Sequence, residues 1–175
     1  MSAVVVPYED SINEEVREIF FESSTKKSFK DEAEKEAFYE KYLGFYLKHY
    51  PQFAWVARSE RVLGYVIVAP ESQNIELQKL QPHLQVFDSY FQKYPAHLHI
   101  NCHYESRGLG VGSKLILEAE TKLRQLNIKG LHIMTSRDAA NKSFYKKLGF
   151  DFQTELNFHG SMILFMGKSL SDDKL

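Results

Sequence analysis

The sequence predicts a single α/β domain built on a mixed sheet, and three observations carry that expectation. Strand-like and helix-like patterns follow one another in the order β-α-α-β-β-insert-β-α-β-α-β-β. A glycine-rich stretch, Arg107-Gly108-Leu109-Gly110-Val111-Gly112, stands between one of those strands and the helix that follows it. The 175 residues, 43% of them hydrophobic, suffice for one core and are short for two domains.

Residues 3–6, a valine run, read as the first strand. Residues 9–21 and 31–50 read as helices split by the polar stretch 22–30, and the second carries Phe38, Tyr42, Phe45 and Tyr46 on one face. Residues 53–58 and 62–69 form a hairpin around Ser59-Glu60-Arg61. The insert, 71–94, reads as helical and broken at Pro82. Residues 98–102 are the strand before the glycine stretch. In the helix 110–126 the buried face is Val111, Leu115, Ala119 and Leu123. Residues 131–134 are a strand and 138–148 are mostly helix, with Gly149 as a left-handed cap and Phe150 starting the next strand. Phe150, Phe152, Leu156 and Phe158 alternate with Asp151, Gln153, Glu155 and Asn157, the pattern of a half-buried strand. His159-Gly160 turns the chain into a last strand, 161–168. Residues 169–175 read as a frayed tail, disordered from 170 onward.

Composition narrows the function. Net charge is −1, from 22 basic and 23 acidic residues, with no basic block beyond Lys26-Lys27 and Lys146-Lys147, so nucleic-acid binding has no support. The lone cysteine, Cys102, excludes an internal disulfide and fits a reducing, cytoplasmic setting. The N-terminal residues lack a basic segment followed by a long apolar one, and no apolar run is long enough to span a bilayer, so neither a signal peptide nor a membrane anchor is expected. No metal-ligand pattern is read, and a homodimer is left open.

Glycines at 108, 110 and 112 let backbone N–H groups approach a ligand and turn the chain without Cβ clashes. The helix after them adds unpaired N–H groups and a partial positive charge, and Arg107 opens the run. This describes a pyrophosphate cradle made mostly of backbone. A Walker A loop does not fit, because no G-x-x-x-x-G-K-[ST] window exists. The dinucleotide fingerprint G-x-G-x-x-G fails at Ser113, and no acidic residue follows in 127–134.

The spacing R-x-x-G-x-G resembles motif A of the GCN5-related N-acetyltransferases (GNAT), which holds the diphosphate of acetyl-CoA. Downstream, Asn141-Lys142-Ser143-Phe144-Tyr145-Lys146-Lys147-Leu148-Gly149-Phe150 resembles motif B of the same family, F-Y-x-K-x-G-F. Two motifs in the family's order separate this reading from a mere glycine turn before a helix. The resemblance covers residues 96–168. It implies the GNAT fold, a mixed, mostly antiparallel sheet with splayed fourth and fifth strands flanked by helices. It also implies acetyl-CoA as acetyl donor and a primary amine as acceptor.

What the resemblance implies for individual residues follows. The backbone of Arg107, Gly108, Leu109, Gly110, Val111, Gly112 and Ser113 would bind the diphosphate, and that of Ile100 and Cys102 the pantetheine amides. A backbone N–H near Cys102 would stabilise the carbonyl oxygen. Tyr145 occupies the general-acid position, and a phenol of ordinary pKa about 10 can protonate a departing thiolate. The family commonly has asparagine seven residues before that tyrosine; here Asp138 stands there and Asn141 four before. Asn141 is preferred as the pantetheine contact, with Asp138 as a helix N-cap. Alkylamines are mostly charged at neutral pH, so transfer needs a base. His97 and His99, two apart and on one strand face, have the intrinsic pKa for it. The run Ala96-His97-Leu98-His99 resembles the histidine pair of arylalkylamine N-acetyltransferases and the A-H-L-H-I-D run of O-GlcNAcase-associated acetyltransferase-like domains, with Asn101 in place of that aspartate. The same histidines could instead be hydrogen-bonded core residues, and Glu105 is an alternative base. The leading function is N-acetylation of a small-molecule amine; a protein lysine or N-terminal amine, and a non-catalytic acyl-CoA-binding module, remain alternatives.

Overall fold

The computed structural model describes residues 3–171. In chain order the elements are β1 (Val4–Pro7), α1 (Asn13–Ser23), α2 (Glu32–Tyr39), α3 (Phe45–His49), β2 (Ala54–Arg58), β3 (Val62–Ala69), α4 (Ile75–Leu80), β4 (Ala96–Cys102), α5 (Val111–Gln125), β5 (Gly130–Ser136), α6 (Lys142–Lys147), β6 (Phe152–Phe158) and β7 (Ser161–Ser169). The strands form one sheet in the order β1-β2-β3-β4-β5-β7-β6. It is mostly antiparallel, with β4 and β5 parallel, as the predicted fold class requires. The β4–β5 register covers Ala96↔Leu131 and His97↔His132 at the start of both strands. Among the described residues no helix is long and apolar enough to cross a membrane.

Packing groups the chain into two compact units: residues up to Val68 with His99–Thr121, and Ala69–Leu98 with residues from Lys122 onward. The first has its core in Val16, Ile19 and Phe20 of α1, Leu43 and Tyr46, the β2–β3 hairpin, and Leu115, Ile116 and Ala119 of α5. The Glu15 carboxylate accepts from the Val62 N–H at 2.8 Å and ties α1 to that hairpin. Between α2 and α3 the chain makes a π turn, Glu40–Gly44, where an unbroken helix is expected from the sequence. Gly44 permits it: a Cβ there would lie 2.6 Å from Glu40 Oε1 and 2.9 Å from Tyr39 Cε1.

In the second unit the core is Leu77, Leu84, Phe87, Phe91, Tyr94, Leu131, Ile133, Phe150 and Phe165. The insert is α-helical only in its first half; Pro82–Tyr90 is 3-10. The reason is visible in burial, because Gln81, Leu84 and Phe87 are buried at every third position, the 3-10 period rather than the α period. Tyr94 lies across Gly130 and Gly167, neither of which has room for a Cβ beside its ring. Residues 138–141, expected as helix, belong to a turn in which Ala139 N–H donates to Ser136 O at 3.1 Å and Lys142 Nζ to Arg137 O at 2.6 Å. The predicted tail is partly structured: Ser169 ends β7, Leu170 is buried, and the Leu170 and Ser171 N–H groups donate to Lys129 O. The rest of that tail, 172–175, lies outside the described residues.

Candidate active site

β4 leaves the sheet at Cys102 and passes through a short 3-10 turn, Tyr104–Ser106, into the glycine loop. Ser106 is the clasp. Its hydroxyl reaches Leu63 O and His103 O, both at 2.8 Å, and its carbonyl accepts from Leu109 N–H at 3.2 Å. Gly108 and Gly110 then adopt φ 79° and 76°, conformations that glycine takes without penalty. A Cβ at either would meet nothing within 4 Å, so packing does not explain these glycines. Lys114 N–H donates to Gly110 O at 3.1 Å and closes the first turn of α5, so the amides of Val111, Gly112 and Ser113 come before any intrahelical acceptor. The loop therefore has the two properties a diphosphate needs: open space over its glycines, and N–H donors at the positive end of a 15-residue helix. Arg107 and Leu109 are exposed beside them.

Upstream, Gly64 of β3 lets β4 come close: a Cβ there would lie 2.9 Å from Asn101 O and 3.0 Å from Cys102 Sγ. Asn101 Nδ2 donates to the buried Tyr65 hydroxyl at 2.7 Å. Burial pushes the Cys102 thiol up to about 11, against the lowering effect of Arg107. It stays protonated at neutral pH, which removes it as a nucleophile. Glu105 is ion-paired with Arg61 and accepts from the Tyr104 hydroxyl at 3.2 Å, and these bonds hold its carboxyl below the ordinary range. A carboxylate held low is the poorer base.

The two histidines of β4 have different surroundings. His97 is 1% exposed, and its Nδ1 lies 2.7 Å from Ser72 Oγ. Ser72 gives its one hydroxyl hydrogen to Pro95 O at 2.8 Å, so His97 Nδ1–H is the donor to Ser72. The His97 ring packs 5.4 Å from that of His132, which donates through Nδ1 to Tyr94 O at 2.7 Å and stacks on Phe91 and Phe165. His97 thus carries the marks of a core residue. His99 is half-buried and meets the rings of Tyr42 at 6.3 Å and Tyr46 at 5.4 Å. Ser72 and Tyr42 carry no motif in the sequence; only the fold brings each to its histidine.

In the second motif, Tyr145 is 6% exposed on α6, between the rings of Phe144 and Phe150 at 5.2 and 5.5 Å. Gly149, at φ 87°, is the left-handed cap expected, and Phe150 N–H returns to Tyr145 O at 3.1 Å. The N-cap of α6 is Asn141, whose side chain makes no capping bond, while Asp138 is exposed in the preceding turn. Asp138 is therefore not the helix cap expected of it, since the helix starts later.

The sequence model of the acetyltransferase (GNAT) family matches residues 11–150, most of the chain and both motifs. The chain belongs to the GNAT acetyltransferase family. No curated protein matches the chain. Solved structures share the GNAT fold at low identity. SsHAT is 19% identical with a TM-score of 0.78, over 98% of this chain and 100% of that one. Ard1 from Thermoplasma volcanium is 16% identical with a TM-score of 0.67, over 98% and 100%. A GNAT superfamily phosphinothricin acetyltransferase from Sinorhizobium meliloti, solved in complex with AcCoA, is 17% identical with a TM-score of 0.63, over 99% and 91%.

Proposed function

We propose that this GNAT chain, acting as a single domain, transfers an acetyl group from acetyl-CoA to the primary amine of a small molecule in a ternary complex. The observation that carries the reading is the loop: two left-handed glycines with open space above them, leading into the first amides of α5. Those amides, with Arg107, would hold the diphosphate, and the backbone of Ile100 and Cys102 the pantetheine arm. Asn141, at the start of α6, would contact that arm as well. Acetyl-CoA supplies the acetyl group as a thioester, whose carbonyl carbon an amine can take in exchange for the thiol.

The chain's own groups supply the rest. His99, half-buried among aromatic rings, would take the amine proton and pass it to water. His97 would hold the strand through Ser72 rather than move protons. A backbone N–H near Cys102 would donate to the carbonyl oxygen as charge develops there; one such donor is worth about 3 kcal/mol. Tyr145 would give its phenolic proton to the departing sulfur, a role that rests on its place in the 141–150 motif.

The test is thiol release from acetyl-CoA against a panel of small amines and amine-bearing peptides. The reading expects turnover with a small amine, a rate that rises through a pKa of about 6 to 8, and loss of that limb in His99→Gln. Tyr145→Phe should lower kcat while leaving acetyl-CoA affinity unchanged, the signature of a group needed only in the transition state. Turnover with peptides alone would move the acceptor to a protein amine. Binding without any thiol release would make the chain an acyl-CoA-binding module.

A further inference from the structure

The β2–β3 hairpin grips the entry to the glycine loop at two points. At the first, Leu63 O accepts from the His103 N–H at 2.9 Å and from the Ser106 hydroxyl at 2.8 Å. At the second, two residues earlier, the Arg61 guanidinium pairs with the Glu105 carboxylate. Arg61 is itself held by the hairpin turn, where its carbonyl accepts from Ser59 N–H at 3.0 Å. Its partner is held as well. The Tyr104 hydroxyl donates to Glu105 Oε1 at 3.2 Å, and the Glu105 N–H donates to His103 Nδ1 at 3.3 Å. That nitrogen lies 3.7 Å from Glu105 Oε2, and His103 Nε2 faces Glu22 Oε2 at 3.7 Å. The Arg61 and Glu105 side chains are 52% and 51% exposed, and an exposed pair contributes little to stability. What the pair does is choose a partner for Glu105. Arg107 is the other candidate, its Cα at most about 7 Å from that of Glu105 along the chain. Arg107 opens the glycine loop, is exposed, and among the described residues pairs with no carboxylate. Its charge is felt at the Cys102 thiol, whereas the cations that act on Glu105 are Arg61 and His103.

We propose that Arg61 is a positioning residue for donor binding: it takes the Glu105 carboxylate and so leaves the Arg107 guanidinium to the diphosphate. The inference rests on the reading of the loop as the acetyl-CoA site. Arg61 acts through Glu105 and does not touch the donor. Without it, Glu105 turns to Arg107, two residues on, and the diphosphate has to displace a carboxylate that is always at hand. Once displaced, that carboxylate stands unpaired beside the phosphates, and like charges a few ångströms apart repel. Glu105 is thus the liability and Arg61 its remedy. A carboxamide at position 105 carries no charge to compete, so the need for Arg61 disappears with the charge of Glu105.

Isothermal titration of acetyl-CoA into the parent, Arg61→Gln, Glu105→Gln and the double variant reads this without turnover. Both side chains are about half exposed, and melting curves check that each variant is folded. Arg61→Gln should raise Kd about three- to tenfold at low salt. Arg61→Lys keeps a cation opposite Glu105 and should stay within about twofold of the parent. Glu105→Gln should bind at least as tightly as the parent. The double variant decides: it should return to within about twofold of Glu105→Gln, because no carboxylate is left to occupy Arg107. A double variant as weak as Arg61→Gln would show that Arg61 serves the donor directly or only shapes the hairpin, and would overturn the proposal. Arg61→Gln with the parent's Kd would overturn it as well. No binding heat in the parent would refute the loop as the acetyl-CoA site, and the role of Arg61 with it. Heat in the parent that Arg61→Gln leaves unchanged would refute the role alone.

Discussion

Replacing Ser72 with alanine asks whether His97 belongs to the core or to the chemistry. Ser72 and His97 are 0% and 1% exposed, and the hydroxyl oxygen lies 2.7 Å from Nδ1. Because the hydroxyl hydrogen already goes to Pro95 O, the imidazole N–H is the donor, and alanine withdraws its acceptor. Withdrawing the partner of a buried donor costs about 1–3 kcal/mol. Each kcal/mol moves the melting temperature of a chain of this size by about 2–4 °C, so the variant should melt about 2–12 °C lower. The assay is paired: circular-dichroism melting, and initial rates of thiol release across neutral pH well below the melting point, on the same samples. If His97 only holds the strand, the melting temperature falls while the rate per folded molecule and its pH limb stay put. An unmoved melting temperature with a displaced pH limb would refute the reasoning and return His97 to the mechanism.

Two further outcomes follow from the packing. Gly167→Ala should destabilise by about 1–3 kcal/mol, the usual cost of overpacking, because its Cβ would lie 2.9 Å from three carbons of the Tyr94 ring; a chemical melt within experimental error of the parent would show that Tyr94 can yield. Cys102 has its thiol raised from 9.0 to about 11, so at pH near 8 iodoacetamide should label the folded protein about a hundredfold more slowly than the urea-unfolded chain, with the rate climbing as pH approaches 11. The sign is fixed by burial. The folded state keeps a proton that the unfolded thiol releases, so stability also declines between those two values. Equal labelling of folded and unfolded chains would contradict the burial of Cys102.

The parts of this molecule that were legible in sequence are those whose chemistry is local. Arg107–Gly112 announces itself because a left-handed backbone needs glycine at Gly108 and Gly110, and because a helix must start where the donors are wanted. Gly149 is legible for the same reason, as a left-handed cap, while Phe150, expected to start the next strand, is a buried ring two residues before β6. The strand at β6 was legible in the alternation of residues 150–158. What the sequence hid was set by partners far away along the chain. His97 and His99 look alike on their strand, and neighbours remote in sequence, Ser72 at His97 and Tyr42 and Tyr46 at His99, make them different. Gly130 and Gly167 look like interruptions of strands until Tyr94 is laid across them. The 3-10 run was present as burial at Gln81, Leu84 and Phe87, a period of three that a helical reading of 71–94 passes over. The π turn depends on the missing side chain of Gly44 beside Glu40 and Tyr39, which no local rule marks.

The central claim is that the loop from Arg107 into α5 binds acetyl-CoA, and calorimetric titration of acetyl-CoA into the parent and into Gly110→Asp tests it most directly. A Cβ at position 110 meets nothing within 4 Å, so the variant keeps the fold apart from a backbone penalty of about 1–2 kcal/mol, while it sets a carboxylate where the diphosphate would lie. The account predicts saturable one-to-one binding to the parent and stabilisation by about 2.7 kcal/mol at a hundredfold excess over Kd. It predicts neither in the variant. Absence of binding heat and an unmoved melting curve in the parent, or equal binding by Gly110→Asp, would contradict it.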